Sequence, residues 1–304
     1  MKKLLRHALV ALDQSPASEA MMECLPDLKK FGTKHVTLFT AASISHRKHP
    51  TEQEKQKWQG RLDEYGARLR ESGTFGVTTV TTQVDYDSRI PVPLRILKGA
   101  REAGAGYIFI ANRGHSKLHD VLLGSTVTAL LQQSDLPVLL IKLRPDAADG
   151  HDGPKLSCIT PCRDALRHIL YPTDFSDTAR FAFDILCRLA AGPTERITLY
   201  HVQAKGKVDL TDAAQLEEFN RIDRERLQSL RQELQEAASV DVDIALSQGP
   251  AVRLIVDKAR SVDATMIVMG SQGRGYISDL FLGGVTYQVL RQTPVPVLII
   301  PARR

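Results

Sequence analysis

The sequence predicts an α/β protein of two tandem doubly wound domains, each a five-stranded parallel sheet with helices on both faces. Three observations carry this reading. The chain has 304 residues, a length that fits roughly two domains. Its second half repeats its first: Leu5-Arg6-His7 and the apolar run ending at Asp13 return as Leu166-Arg167-His168 and a run ending at Asp174. Within each half, short apolar or β-rich runs alternate with helical spacing, which is the pattern of parallel strands joined by right-handed crossovers.

In the first copy the strands are expected over residues 8–12, 35–41, 77–84, 107–110 and 138–142. A long helix carries Trp58, Leu62, Tyr65 and Leu69 on one face. In the second copy Ile169-Leu170-Tyr171 opens the sheet, and Ser176 or Asp177 caps a helix running to about Ala190. Ile197 to Val202 is the second strand. Residues 211–238 form a helix, with Leu216, Phe219, Leu227, Leu230 and Leu234 at three- and four-residue spacing. Val240 to Leu246 alternates like a partly exposed strand, and Ala251 to Arg260 is helical. Met266-Ile267-Val268-Met269 is a continuous apolar run, as a buried parallel strand requires. Val285 to Arg291 is helical, and Val297 to Ile300 closes the copy.

The repeat runs at an offset of 161 positions near its start and 159 near its end, where Gly114, Asp120, Leu123 and Gly124 return as Gly273, Asp279, Leu282 and Gly283. Such a period is too long for a solenoid and means two whole domains. These are placed at residues 1–144 and 166–304. Residues 145–165, rich in Gly, Pro and Asp over their first half, are expected as a linker.

Hydrophobic residues make up 43% of the chain and charged residues 25%, so each half can bury its own core. The net charge of +5 is mild, basic residues are scattered, and aromatics are 6%, which argues against a nucleic-acid groove. The N-terminal segment recurs in mid-chain and is therefore expected as a strand rather than a leader. No apolar stretch has transmembrane length, so no membrane partner and a cytoplasmic location are expected. The four cysteines, Cys24, Cys158, Cys162 and Cys187, form no C-x-x-C pair and lack zinc spacing. They read as inert thiols in a reducing compartment, with a redox role for Cys158 and Cys162 as the weaker alternative. His115 and His119 read as solvated loop residues, and no protein metal ligands are assigned.

The chemistry concentrates after the fourth strand. The second copy reads Gly270-Ser271-Gln272-Gly273-Arg274-Gly275, then Gly283-Gly284-Val285-Thr286 at a helix start. The first reads Ala111-Asn112-Arg113-Gly114, then Gly124-Ser125-Thr126. Glycines let backbone turn and approach a ligand closely, and a helix N-terminus offers unpaired N–H groups and partial positive charge. Together they suit a phosphate chain. A P-loop is absent, and no Gly-x-Gly-x-x-Gly follows the first strand of either copy.

Pro172-Thr173-Asp174-Phe175-Ser176, the Gly270-x-x-Gly273-x9-Gly283 spacing and the closing Pro294-Val295-Pro296-Val297-Leu298-Ile299-Ile300 together resemble a universal stress protein domain, and both halves share the resemblance. It implies strand order 3-2-1-4-5, ATP bound by the subgroup with Gly-x-x-Gly-x9-Gly-Ser/Thr, and dimerisation through the fifth strand. That dimerisation is expected here as an intramolecular pseudo-dimer, with a homodimer also possible. Carried over, Asp13 and Asp174 stand at the ribose and adenine side, and Ala41 and Val202 line the adenine. Gly114, Gly124 and Ser125, and Gly270, Gly273, Gly283 and Gly284, wrap the phosphates. Ala11, Ala111, Arg113, His115 and Thr126 complete the first candidate pocket; Pro172, Met269, Gln272, Arg274 and Val285 complete the second. Magnesium is expected through phosphate oxygens. The pattern is broken twice, by Ala111 in place of glycine and Gly284 in place of Ser or Thr.

The resemblance implies an ATP-binding protein with a regulatory or sensing role in stress. Two alternatives stand beside it: a slow ATPase or autophosphorylating enzyme, and a scaffold that binds no nucleotide. Arg113, His115 and Arg274 form no catalytic set, so no catalytic residue is assigned and hydrolysis is expected to be slow or absent. The second pocket is expected to bind more tightly, within roughly tenfold, because a left-handed backbone at Ala111 would cost about 1–2 kcal/mol.

Overall fold

The computed structural model describes residues 4–42, 50–72, 79–112, 123–145, 155–203, 213–273 and 282–302. The chain divides into two units, Met1–Arg163 and Asp164–Arg304.

The first unit runs β1 (His7–Ala11), α1 (Pro16–Cys24), β2 (His35–Ala41), α2 (Glu52–Glu71), β3 (Thr79–Asp85), α3 (Val92–Glu102), β4 (Tyr107–Ala111), α4 (Ser125–Gln133) and β5 (Val138–Ile141). All pairings among these strands are parallel, and the order is β3-β2-β1-β4-β5. Tyr107-Ile108-Phe109-Ile110-Ala111 is buried at every position, so β4 is covered on both faces. The unit ends in an antiparallel pair, β6 (Leu143–Pro145) with β7 (Leu156–Cys158).

The second unit repeats the plan. It runs β8 (His168–Thr173), α5 (Asp177–Ala190), β9 (Arg196–Gln203), α6 (Ala213–Ala237), β10 (Asp241–Gln248), α7 (Ala251–Ser261), β11 (Met266–Gly270), α8 (Gly284–Gln292) and β12 (Val297–Ile300). The parallel order is β10-β9-β8-β11-β12. Both units therefore have the doubly wound sheet in the order 3-2-1-4-5.

Local chemistry fixes the helix entries. The Ser15 hydroxyl accepts from Ala17 N–H, and Ser176, rather than Asp177, caps α5 by accepting from Ala179 N–H. Thr51 and Glu54 form a reciprocal capping box at α2. Leu62, Tyr65 and Leu69 are buried as their spacing predicts. On α6 Leu227 and Leu234 are fully buried, but Phe219 is 40% exposed.

The stretch expected as linker carries structure at its ends. Pro145 closes β6, β7 pairs back onto it, and a 3₁₀ turn spans Cys162–Asp164. The Ile159 N–H donates to Lys142 O at 2.9 Å. Residues 146–154 lie outside the described residues. Among the described residues no helix is long and apolar enough to cross a membrane.

Candidate functional site

In each sheet the winding reverses between the first and fourth strands, and open α/β sheets bind ligands at the carboxyl ends there. In the first unit that place is the end of β1. The residue after Asp13, Gln14, has φ +59, and its counterpart Phe175 has φ +60. A non-glycine residue held left-handed costs of order 1–3 kcal/mol, so its surroundings must enforce it. The aspartates do so. Asp13 Oδ1 accepts from Ser15 N–H at 3.0 Å, from the Ser15 hydroxyl, and from Ser18 Oγ at 3.1 Å. Asp174 Oδ1 accepts from Ser176 N–H at 3.1 Å and Ser176 Oγ at 2.6 Å. One oxygen of each aspartate therefore fixes the entry into the following helix.

The other wall is a helix start. Gly124 caps α4 with no side-chain hydrogen bond, and the first intrahelical bond runs from Thr128 N–H to Gly124 O at 2.9 Å. Geometry thus leaves the N–H groups of Ser125, Thr126 and Val127 without a partner inside the helix. Together they present about half a positive charge. The strand end is tied to this cap by Gly124 N–H to Asn112 O at 3.1 Å, and in the second unit by Gly283 N–H to Ser271 O at 2.8 Å.

Between these walls the first unit holds a cavity of about 560 Å³. Of the residues the sequence assigns to the first pocket, Ala11, Asp13, Ala41, Ala111, Gly124, Ser125 and Thr126 line it. Sequence reasoning missed its apolar walls, Phe39, Trp58 and Ile96, which the core pattern alone does not separate from packing residues. It also missed the support of its rim. Arg95, 1% exposed, donates from Nε to Asp85 Oδ1 at 2.6 Å and from a terminal nitrogen to Ala42 O at 3.1 Å. That ion pair fixes the chain just beyond Ala41.

The equivalent cavity of the second unit measures about 90 Å³ and is lined by Pro172, Asp174, Val202, Met269, Gly270 and Gln272 among others. The chain at Gly273 closes directly on the aspartate: a Cβ there would stand 2.5 Å from Asp174 Oδ2. Gly283 caps α8, Gly284 begins it, and Val285 is 43% exposed; none of the three is in the cavity wall. Beside the strand ends His201 donates from Nδ1 to Thr173 O at 2.7 Å, with Nε2 3.5 Å from Asp223. The Phe175 ring packs on His201 at 4.7 Å, and Arg226 lies 5.4 Å above Phe175. Arg113, Gly114, His115 and Arg274 lie outside the described residues.

The expected backbone penalty at Ala111 is corrected. Ala111 and Gly270 end β4 and β11 in register with Ile141 and Ile300, and neither has positive φ. Glycine at 270 answers a steric need instead, since a Cβ there would meet Thr178 Cγ2 at 2.9 Å. The first copy has Ala17 where the second has Thr178, so an alanine fits at 111.

The model of the universal stress protein family matches residues 5–142 and again 165–301. A universal stress protein of Methanocaldococcus jannaschii is 28% identical over 153 residues, 44% of this chain and 94% of that protein. One of Mycobacterium tuberculosis is 25% identical over 281 residues, 88% of this chain and 91% of its own. Among solved structures, a universal stress protein from Archaeoglobus fulgidus is matched over 97% of this chain and 98% of its own, at 23% identity and a TM-score of 0.66.

Proposed function

This chain belongs to the universal stress protein family, and from that premise we propose that it is an adenine-nucleotide-binding protein with a regulatory role in stress, its first copy holding ATP. The observation that carries the reading is the cavity of about 560 Å³ that has Asp13 on one side and the uncapped start of α4 on the other. Small-molecule pockets span roughly 300–1,000 Å³, so the first cavity fits a nucleotide and the second, at about 90 Å³, falls short.

In this proposal the base lies against Ala41 and the apolar walls, and Asp13 accepts from ribose hydroxyls. The N–H groups of Ser125 and Thr126, with the Ser125 hydroxyl, hold phosphate oxygens at the positive helix end. Magnesium is carried by phosphate oxygens and water, which needs few protein ligands. Asp13 Oδ1 is held by donors from Ser15 and Ser18 and serves as a fixed acceptor rather than a mobile base. Turnover is accordingly proposed to be absent or far below the roughly 1–1,000 per second of ordinary enzymes.

The test has two parts. Small molecules released from the purified, denatured chain are identified by mass spectrometry, and ATP with magnesium is titrated calorimetrically into Ala41→Trp and Gly273→Trp. Adenine nucleotide in the released fraction, and a tighter phase lost in Ala41→Trp but kept in Gly273→Trp, are expected. No nucleotide and no ATP heat would overturn the function; loss of the tighter phase only in Gly273→Trp would overturn the placement.

A further inference from the structure

Away from the cavity, the first unit gathers three of the chain's four cysteines. Cys24 ends α1, Cys158 ends β7, and Cys162 opens the 3₁₀ turn that follows. Their sulfurs all lie within 4.8 Å of one another. Cys24 and Cys162 are buried and Cys158 is half-buried, so the group opens outward on the Cys158 side alone. Cys187 stands apart from it on α5.

Ordinary packing does not account for this convergence. A free cysteine in a core behaves as a small hydrophobe, and its thiol is a weak donor and weak acceptor. Three thiols turned inward on one another exchange only weak hydrogen bonds. Yet the Cys24 and Cys158 sulfurs approach to 2.7 Å, well inside the roughly 3.5–4.0 Å of unforced non-bonded contact. Three segments far apart in the sequence bring the sulfurs together, so the thiols stand as one donor set.

We propose that Cys24, Cys158 and Cys162 form a thiolate site for one soft d¹⁰ metal ion, Cu(I) or Zn(II), separate from the nucleotide cavity. Metal–sulfur bonds of about 2.3 Å place neighbouring sulfurs roughly 3.8–4.0 Å apart. All three sulfurs lie within 4.8 Å of one another, and binding requires the Cys24–Cys158 pair to open by about 1 Å. Among the described residues no histidine or carboxylate joins the group. An all-sulfur donor set selects soft ions and rejects magnesium and calcium, which take oxygen ligands. Three thiolates complete a trigonal Cu(I) site; Zn(II) takes a water as fourth ligand on the open Cys158 side. Either ion displaces three thiol protons, one per metal–sulfur bond formed, and leaves sulfur at its original oxidation state. The site as bound carries net negative charge. Arg163 follows Cys162, and Lys30 donates from Nζ to Arg163 O, which brings the Lys30 ammonium beside the segment that carries Cys162.

The test uses the full-length chain, reduced and stripped of metal. Cu(I) is titrated against a chromophoric Cu(I) chelator and Zn(II) against a chromophoric zinc chelator, and free thiols are counted before and after. One ion per chain with three thiols protected is expected, and the arm that outcompetes its chelator identifies the ion. Cys24→Ser, Cys158→Ser and Cys162→Ser should each weaken binding at least about 100-fold, more than a lost supporting partner costs. Cys187→Ser should bind as the parent does. If a buried serine at 24 or 162 prevents folding, the half-exposed Cys158→Ser decides, with circular dichroism to confirm its fold. No stoichiometric binding of either ion would overturn the proposal, as would binding indifferent to Cys158→Ser. So would a reduced chain that refuses both ions yet forms a Cys24–Cys158 disulfide under mild oxidant, which would make the group a redox pair.

Discussion

In both copies the chain leaves its first strand through an aspartate and a left-handed residue, and what that residue then touches differs. Gln14 donates from Nε2 to Trp58 O at 2.9 Å and reaches across to α2. Phe175 packs on His201 under Arg226. The first unit's cavity measures about 560 Å³ and the second's about 90 Å³. The more complete glycine motif belongs to the smaller cavity. Gly270 makes room for Thr178, and Gly273 lets the chain close on Asp174. A glycine spacing that suits phosphate in the sequence can thus be used by the fold for its own packing.

The largest test of this contrast removes the support under the first rim. Arg95 and Asp85, with side chains 2% and 13% exposed, form an ion pair. The second copy has Leu254 at the position of Arg95. Arg95→Met leaves Asp85 without its cation, and breaking a buried pair from one side costs about 3–5 kcal/mol. Urea unfolding should show that loss, and ATP titration should lose the first-copy phase while the second copy is untouched. A loss below about 1 kcal/mol would place the pair at the level of a surface ion pair and remove its role at the rim.

A second asymmetry concerns Lys142, 4% exposed, where the second copy has Pro301. Burial lowers the lysine pKa to about 8 from 10.5. Between these values the unfolded chain binds more protons than the folded one, so stability rises with pH across that window. The full span is about 3 kcal/mol. Below pH 8 the burial cost is present in full. Lys142→Met should raise the urea midpoint at pH 7 and flatten the rise between pH 8 and 10.5. An unchanged alkaline profile would refute the assignment.

Much of this was legible in the sequence, for reasons specific to each residue. Runs such as Tyr107–Ile110 and Met266–Met269 announce strands covered on both faces, and their recurrence fixes two sheets with one order. Asp13, Ala41 and Ser125 sit at strand and helix ends, where repeat and resemblance converge, and they meet in one cavity. Arg95 was hidden because a charged residue on a helix reads as solvated; Asp85, which buries it, belongs to another element. The cysteine cluster was hidden because Cys24 and Cys158 are 134 positions apart. Phe219 follows Leu216 at three-residue spacing but is not on the buried face: at 3.6 residues per turn it lies about 80° from Leu227, whereas Leu216 lies within about 20°.

The exchange of Ala17 and Ala111 for Thr178 and Gly270 gives a smaller and sharper test. Ala17→Thr places a threonine methyl against Ala111, where the second copy's geometry would put a Cβ 2.9 Å from it, and such overpacking costs about 1–3 kcal/mol. Adding Ala111→Gly recreates the second copy's pair and should recover most of that loss. Additive single effects, measured by urea unfolding of the three variants, would show that the two positions do not touch.

The smallest expected effect separates room from chemistry in the second copy. Gly284 begins α8, and a Cβ built there meets nothing within 4 Å, so Gly284→Ser fits without strain. It restores the hydroxyl that Ser125 supplies in the first copy. One neutral hydrogen bond contributes about 0.5–1.5 kcal/mol, at most about tenfold in affinity. If cavity size limits the second copy, that hydroxyl finds no phosphate to hold, and calorimetric ATP titration of Gly284→Ser should match the parent within about twofold, well under the tenfold ceiling. If a new tight phase appears that Gly273→Trp abolishes and Ala41→Trp leaves intact, the missing hydroxyl was the limit, and the ranking of the two pockets by room is wrong.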